Sequence, residues 1–283
     1  MHGAAHWIAF VTPDLAESHL ARAAQAAARV LREAGYTLLV AHTESDPAAE
    51  AQALELLLAC RQVDGLIVAS CQPPDRAEIF ERLQRHSLPF VLLERRISGV
   101  EANFVGWDDQ AIGAAATDHL ISRGCRHVAH LRGPATSNAD ARFRGYTEAL
   151  VRANLKVCPA YVAPGGATAD SGYQATRQLL AVNPRLDGIV CYNDAVAVGA
   201  IKATLEAGLE IPYDLELIGA GNLAYSDILK VPLSTVEMHG EQAGEQAAGL
   251  LLELLRGESP RPPLTILTPF EVIPRESSRI TAV

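Results

Sequence analysis

The sequence predicts an α/β protein made of two doubly wound parallel-sheet lobes joined by a multi-crossover hinge. Three observations carry this. Short apolar runs with little alternation alternate with amphipathic helices, the pattern of parallel strands covered on both faces. The phrase Val63-Asp64-Gly65-Leu66-Ile67-Val68 returns as Leu186-Asp187-Gly188-Ile189-Val190-Cys191 at an equivalent helix-to-strand turn. The tail beyond about residue 238 is too short for a third domain, so it is expected to return and complete both lobes. The lobes are therefore drawn as 6–106 plus 238–269 and 107–237 plus 270–283.

The first lobe opens with the strand Trp7-Ile8-Ala9-Phe10-Val11. A helix follows with Leu20, Ala23, Ala24, Ala27, Val30, Leu31 and Ala34 on one face. It stops at Gly35, since glycine accepts the positive φ of a helix C′ position. Residues 36–41 read as a strand. Asp46 then caps a helix whose first residue is Pro47, with Leu54, Leu57 and Leu58 on one face. A strand at 65–69, a helix at 75–85 and a strand at 90–93 follow, and the sheet closes near 106.

In the second lobe Asp108 caps a helix running through Ile112, Ala116 and Leu120 to Arg123-Gly124. Strand 127–131, helix 140–153, a short strand near 161 and helix 170–182 come next. Strand 187–191, helix 194–206 and strand 215–219 end the series. Helix 240–256 and strands near 264–267 and 270–273 form the returning tail. Such lobes place small-molecule clefts at their strand carboxyl ends.

Bulk properties narrow the function. The 283 residues are 49% hydrophobic and 20% charged, with a formal charge of −9. That deficit of basic residues argues against direct DNA binding by this stretch, because phosphate contacts need clustered Lys and Arg. Cys60, Cys71, Cys125, Cys158 and Cys191 are scattered, odd in number and without CxxC spacing, so neither a disulfide framework nor a zinc site is expected. The N-terminal Met-His-Gly-Ala-Ala-His-Trp has no secretory pattern and no run reaches membrane-span length. A cytoplasmic protein with no membrane partner is expected.

Signals for catalysis are few. Leu217-Ile218-Gly219-Ala220-Gly221-Asn222-Leu223-Ala224 presents a strand followed by GxGxxA, part of a dinucleotide fingerprint. The required long helix does not follow, so a loop at the cleft rim is preferred. Cys125, His127 and His130 straddle a helix end and a strand, where alternation separates 127 from 130, so packing is preferred to metal binding. GxSxG, GxxxxGK[ST] and HExxH are absent. No enzyme activity, cofactor or metal is expected. Arg95-Arg96, after a strand end, reads on position alone either as a guanidinium grip for a ligand or as a solvated turn.

A set of motifs then bears on family. They run Val11-Thr12-Pro13-Asp14-Leu15, Asp64-Gly65-Leu66-Ile67, Val91-Leu92-Leu93-Glu94-Arg95, Gly106-Trp107-Asp108-Asp109 through Gly113, and His119-Leu120 to Gly124. They continue with Gly133-Pro134, Arg142-Phe143-Arg144-Gly145-Tyr146, Ser171-Gly172-Tyr173, Tyr192-Asn193-Asp194 to Gly199-Ala200, Pro232-Leu233-Ser234-Thr235-Val236 and Arg275-Glu276-Ser277. Each is weak alone; in order and at these spacings, over residues 6–279, the chain resembles the LacI/GalR transcriptional repressors. The core of that family is similar to type I periplasmic sugar-binding proteins.

The resemblance implies an effector site at Asp14, Ser18, His19, Arg95, Asp108, Asn138, Arg142 and Asn193, with Gly221 and Met238 at two further cleft positions. Arg142 is implied to reach the ligand directly, Asn193 to anchor polar ligand groups with its amide. The sequence departs from the family pattern at several places. Ala16-Glu17-Ser18-His19-Leu20 replaces a more aromatic loop, and Ala167 stands where an aromatic ring often stacks. Gly221 replaces an aspartate and Met238 a glutamine. Losing a carboxylate while keeping arginines tilts the expected sugar or sugar-derived effector towards an anionic one.

The resemblance also implies a homodimer and a helix-turn-helix headpiece that reads operator DNA. Only Met1 to Ala5 precede the first strand, so the headpiece is expected to be absent from this chain and DNA binding to belong to the parent protein. The implied activity is an effector-driven population shift. The rival readings are a solute-binding protein for sugar uptake and, on GxGxxA alone, a nucleotide-using enzyme.

Overall fold

The computed structural model describes residues 6–60, 62–164, 166–183, 185–258 and 262–278. The expected short segment before the first strand, 1–5, and the last part of the second lobe, 279–283, lie outside the described residues. The chain divides into two compact units, Met1–Trp107 with His239–Pro269 and Asp108–Met238 with Phe270–Val283.

The first unit carries β1 (Trp7–Thr12), α1 (Ser18–Glu33), β2 (Thr37–His42), α2 (Pro47–Cys60), β3 (Gly65–Val68), α3 (Glu78–Arg85), β4 (Phe90–Leu93) and β5 (Asn103–Gly106). Its strands form one sheet, completed by β11 (Thr265–Leu267) from the tail; the order is β11-β5-β4-β3-β1-β2 and every pairing is parallel. One core gathers Ala9, Val11, Leu66, Val68 and Leu92 from the strands with Leu54 of α2 and Ile79, Phe80 and Leu83 of α3. The predicted helix boundaries are physical: Gly35, past the end of α1, sits at φ +86°, and Asp46, before α2, accepts a hydrogen bond from Ala48 N at 2.8 Å.

The second unit carries α4 (Asp109–Arg123), β6 (Val128–Leu131), α5 (Ser137–Arg152), β7 (Val162–Ala163), α6 (Ala169–Val182), β8 (Gly188–Cys191), α7 (Asp194–Glu206), β9 (Glu216–Ile218) and β10 (Thr235–Glu237). The tail contributes α8 (Gly240–Leu255) and β11 (Thr265–Leu267) to the first unit and β12 (Glu271–Ile273) to the second. Strands β7-β6-β8-β9 make a parallel sheet, and β10 pairs antiparallel with β12. The repeated phrase marks like places: Gly65 opens β3 and Gly188 opens β8, and the Asp187 carboxylate accepts from Arg126 N and His127 N, both at 2.8 Å.

Helix pairs in both units pack with backbones in contact, through glycine. A Cβ on Gly240 or Gly244 of α8 would lie 2.1 Å from His19 O or 2.0 Å from Ala23 O of α1. On Gly145 of α5 it would lie 1.9 Å from Gln110 O of α4, and on Gly199 of α7 1.8 Å from Ala169 O of α6.

Beyond shifts of a residue or two at element ends, three elements differ from expectation. The helix expected from 75 begins at Glu78, because Arg76 N closes a turn onto Pro73 O at 3.0 Å. The helix expected from 140 begins at Ser137, after extended Thr136. Strand β10 went unforeseen, being three residues long with its partner near the end of the chain.

Candidate functional site

In the first unit the site residues gather where β1, β3 and β4 end. After β1, Asp14 closes a local turn by accepting from Ala16 N at 2.8 Å. Ser18 is the first residue of α1 and half-buried. His19, next along, is buried, and its Nε2 lies 2.9 Å from Glu94 Oε1 and 3.6 Å from Glu17 Oε2. Its ring meets Trp107 edge-on, centroids 5.5 Å apart.

Arg95 is 3% exposed, its guanidinium enclosed by partners of this same unit. Nε lies 3.1 Å from Glu94 Oε2, Nη2 3.9 Å from Glu17 Oε1, and Nη1 donates to Ser70 O at 3.2 Å. Glu94 itself has φ +65° in a turn closed by Arg95 N onto Leu93 O at 2.7 Å. A non-glycine residue there is strained by about 1–3 kcal/mol, a state that persists where surrounding contacts enforce it. The loop after β3 is fixed from below by Glu50 of α2, whose carboxylate accepts from Ser70 Oγ and Cys71 N. Burial, then the neighbouring Glu50 charge, pushes the Cys71 thiol up to about 12, so it stays protonated and a poor nucleophile.

The second unit holds its polar residues by helix caps and one close ion pair. Asp108 caps α4, accepting from Ala111 N at 2.9 Å. Asp109 is buried and accepts from Arg142 Nε at 2.8 Å; Arg142 Nη1 donates to Tyr192 O at 2.8 Å, and Nη2 lies 3.3 Å from Met238 Sδ. Asn138 accepts from Thr136 Oγ1 at 2.6 Å and Ala139 N at 2.9 Å, and donates to Tyr192 Oη at 3.0 Å. Asn193 caps α7, accepting from Val196 N at 2.9 Å, while its amide donates to Ala167 O at 3.1 Å. The amide implied to anchor a ligand thus already orders the 167 loop.

The GxGxxA stretch has a local purpose. Asp194, 1% exposed, accepts from Thr235 Oγ1 at 2.6 Å, Leu223 N at 2.8 Å and Ser226 Oγ at 3.2 Å. Burial raises its pKa, opposed by those hydrogen bonds. A Cβ on Gly219 would lie 2.2 Å from Asp194 Oδ1, and Gly221 sits at φ +125° with its N–H on Val236 O. The glycines admit a carboxylate and a turn, and no helix follows within 223–231.

Cys125, His127 and His130 are separately engaged: Cys125 Sγ with Asp187 O, His127 Nδ1 with Tyr161 Oη at 3.2 Å, and the His130 ring stacked on Phe143 and Tyr146. Burial, with the Arg132 charge, lowers His130 to about 3. Among the described residues, Glu17, His19 and Glu94 alone bring three metal-type donor atoms within 4.8 Å, and the Arg95 guanidinium already stands against both of those carboxylates.

Sequence reasoning missed Glu17, Glu94, Asp109 and Tyr192. All four adjoin predicted residues, Glu17 beside Ser18, Glu94 beside Arg95, Asp109 beside Asp108 and Tyr192 beside Asn193, and at Glu94 an acidic residue next to a candidate arginine was the available signal. The structure brings His19 and Arg95 together in the first unit, and Arg142 with Met238 and, through Tyr192, Asn138 in the second.

Comparison with known proteins agrees with this architecture. Residues 117–278 match the family model described as a periplasmic binding protein-like domain. The chain is 27% identical over 282 residues to the ribose operon repressor of Halalkalibacterium halodurans, covering 98% of this chain and 81% of that protein. It is 31% identical over 223 residues to the HTH-type transcriptional repressor PurR of Haemophilus influenzae, covering 77% of this chain and 65% of that protein. Among solved structures, the transcriptional regulator CelR–cellobiose complex superposes with a TM-score of 0.89 at 26% identity, over 96% of this chain and 84% of that one. A LacI-family regulator from Sanguibacter keddieii superposes at 0.85 with 28% identity, over 97% and 99%. The regulators among these relatives favour transcription control over sugar uptake. The chain belongs to the LacI family of transcriptional regulators and carries that family's periplasmic-binding-protein-like, effector-binding core.

Proposed function

We propose that this chain senses one small polar molecule of the sugar class through the polar groups at the carboxyl ends of its two sheets, and so controls operator binding by a parent homodimer. The observation that carries the reading is preorganisation. Arg95, Arg142, Asn138 and Asn193 are each held by partners within their own unit, as a binding site needs if the ligand is not to meet the ordering cost. Met1–Trp107 with His239–Pro269 and Asp108–Met238 with Phe270–Val283 are the two bodies whose populations the effector shifts. A coupling of about 1–3 kcal/mol is enough to change operator occupancy.

The action is binding without catalysis. The buried thiols Cys71 and Cys191 are both raised by burial, which removes them as nucleophiles. DNA contact belongs to a helix-turn-helix of the parent protein, in keeping with the −9 charge of this sequence. No described helix is long and apolar enough to cross a membrane, and a repressor works beside its DNA in the cytoplasm.

Thermal denaturation against ribose, cellobiose and a set of other mono- and disaccharides and nucleosides, with native mass spectrometry of the protein as purified, tests the reading. A retained or stabilising small molecule whose effect is lost in Arg95→Ala and in Arg142→Ala is the expected result. Turnover of the bound molecule, or stabilisation unchanged in both variants, would count against it.

A further inference from the structure

Two loops of the second unit are built onto the start of one helix by side chains that are neighbours in sequence. Asn193 caps α7 through Val196 N, and its Nδ2 donates at 3.1 Å to Ala167 O, in the loop between β7 and α6. Asp194, the next residue, holds the loop after β9 and the start of β10. Its backbone N–H donates to Ala220 O at 3.0 Å, and its carboxylate accepts from Leu223 N, Ser226 Oγ and Thr235 Oγ1. We infer that Asn193 and Asp194 form a relay that makes the 166–168 loop and the 219–226 loop move together, with Asp194 as the positioning residue. That the relay serves the effector rests on the sensor reading above.

The carboxylate of Asp194 is 1% exposed, and these donors lie 29 to 41 residues further along the chain. Its charge is tolerated in the interior because those segments close over it. Releasing one leaves a buried carboxylate short of a donor, which costs far more than losing an exposed bond. The segments are also tied to each other: Asn222 N donates to Thr235 Oγ1 at 3.2 Å and Gly221 N to Val236 O at 2.9 Å. The 219–226 loop, β10 and the carboxylate therefore hold or yield together.

The helix between the two loops has no room to absorb a shift. A Cβ on Gly199 of α7 would lie 1.8 Å from Ala169 O, and one on Gly172 of α6 would lie 2.1 Å from Val196 O. Helices α6 and α7 thus meet backbone to backbone near their N-terminal ends, and α6 starts directly after Thr168. Packing this close moves as a block. A displacement of the α7 N-terminus by either loop is passed to the other, and such coupling runs equally in both directions.

Amide hydrogen exchange of the full chain without effector tests the relay. Thr235→Val and Ser226→Ala each remove one donor to Asp194, and Asp194→Asn replaces an acceptor oxygen by an amide donor. Asn193→Ser keeps a good helix cap and loses the reach to Ala167 O. Exchange at 223–226 should rise about tenfold or more in Asp194→Asn. The relay predicts in addition a rise of about fivefold at 166–168 in that variant and in Thr235→Val, and the reciprocal rise at 223–226 in Asn193→Ser. Exchange at 128–131 should stay unchanged, which separates a relay from general loosening. Circular dichroism shows which variants fold; if Asp194→Asn does not, the two single-donor variants carry the comparison. Faster exchange confined to the loop whose own bond was removed, or an equal rise at 128–131, overturns the inference. That result leaves the sensor reading standing, and failure of every sugar and nucleoside to bind overturns the sensor reading while leaving the relay standing.

Discussion

The two units solve one problem, holding a buried arginine at the end of a parallel sheet, with different sets of carboxylates. In the first, Arg95 lies among two carboxylates and a histidine, and the chain accepts a left-handed Glu94 to build that cluster. In the second, a single Asp109 balances Arg142, and most remaining polar groups are helix caps or hold Asp194 and its loop. The helix packing beneath is the same in both, with glycine-mediated backbone contact at α1–α8, α4–α5 and α6–α7. The difference therefore lies in the site and not in the scaffold: two carboxylates stand by Arg95 and one by Arg142.

The same carboxylate-to-amide change should separate the units most. Asp109→Asn leaves the buried Arg142 without its charge partner and should cost about 3 kcal/mol in urea unfolding, as broken buried pairs do. Glu17→Gln leaves Glu94 beside Arg95 and should cost less than about 1 kcal/mol. Equal losses would erase the electrostatic contrast. The scaffold should respond alike in both: Gly244→Ala in the first unit and Gly145→Ala in the second force backbones apart and should each cost about 2–3 kcal/mol. Gly249→Ala, with nothing within 4 Å of the added Cβ, should be neutral or gain up to about 1 kcal/mol.

Acid should act on the second unit through His130. Its folded value of about 3 lies below the ordinary 6.5, so the unfolded chain takes the proton first. Stability is whole above 6.5 and falls as pH drops from there towards 3. The slope for one such group is about 1.4 kcal/mol per pH unit, so about 2 kcal/mol is lost by pH 5. His119, lowered to about 4 by burial and Arg123, acts in the same direction but is reached by solvent. Urea unfolding of His130→Phe at pH 7 and pH 5 should show a flatter dependence; an unchanged slope would remove His130 from the account. The smallest effect is one of rate. Iodoacetamide at pH 8 should modify exposed Cys60 well before Cys71, whose thiol is held protonated, and peptide mapping over time would show the order.

Much of this was legible locally. Asp46 and Asp108 read as caps from their places before helices, Asn193 as a cleft residue only through the family resemblance, and Gly35 and Gly124 as stops; both glycines have positive φ. Such signals lie within a few residues of what they control. Glu94 was legible only as an acidic neighbour of Arg95; the rest of its meaning depends on His19, 75 residues away, and on Arg95 being turned back onto it. The glycines at 219 and 221 were misleading alone: the carboxylate they admit belongs to Asp194, a full β-α unit earlier. Strand β10 depends on a partner supplied by the returning tail.

Hydrogen–deuterium exchange with the stabilising small molecule at saturation tests the central claim most directly. The account predicts slowed exchange both in the first unit, at 13–18 and 94–97, and in the second, at 136–139 and 192–194. Slowing confined to one unit, or to helix faces away from the strand carboxyl ends, would contradict it.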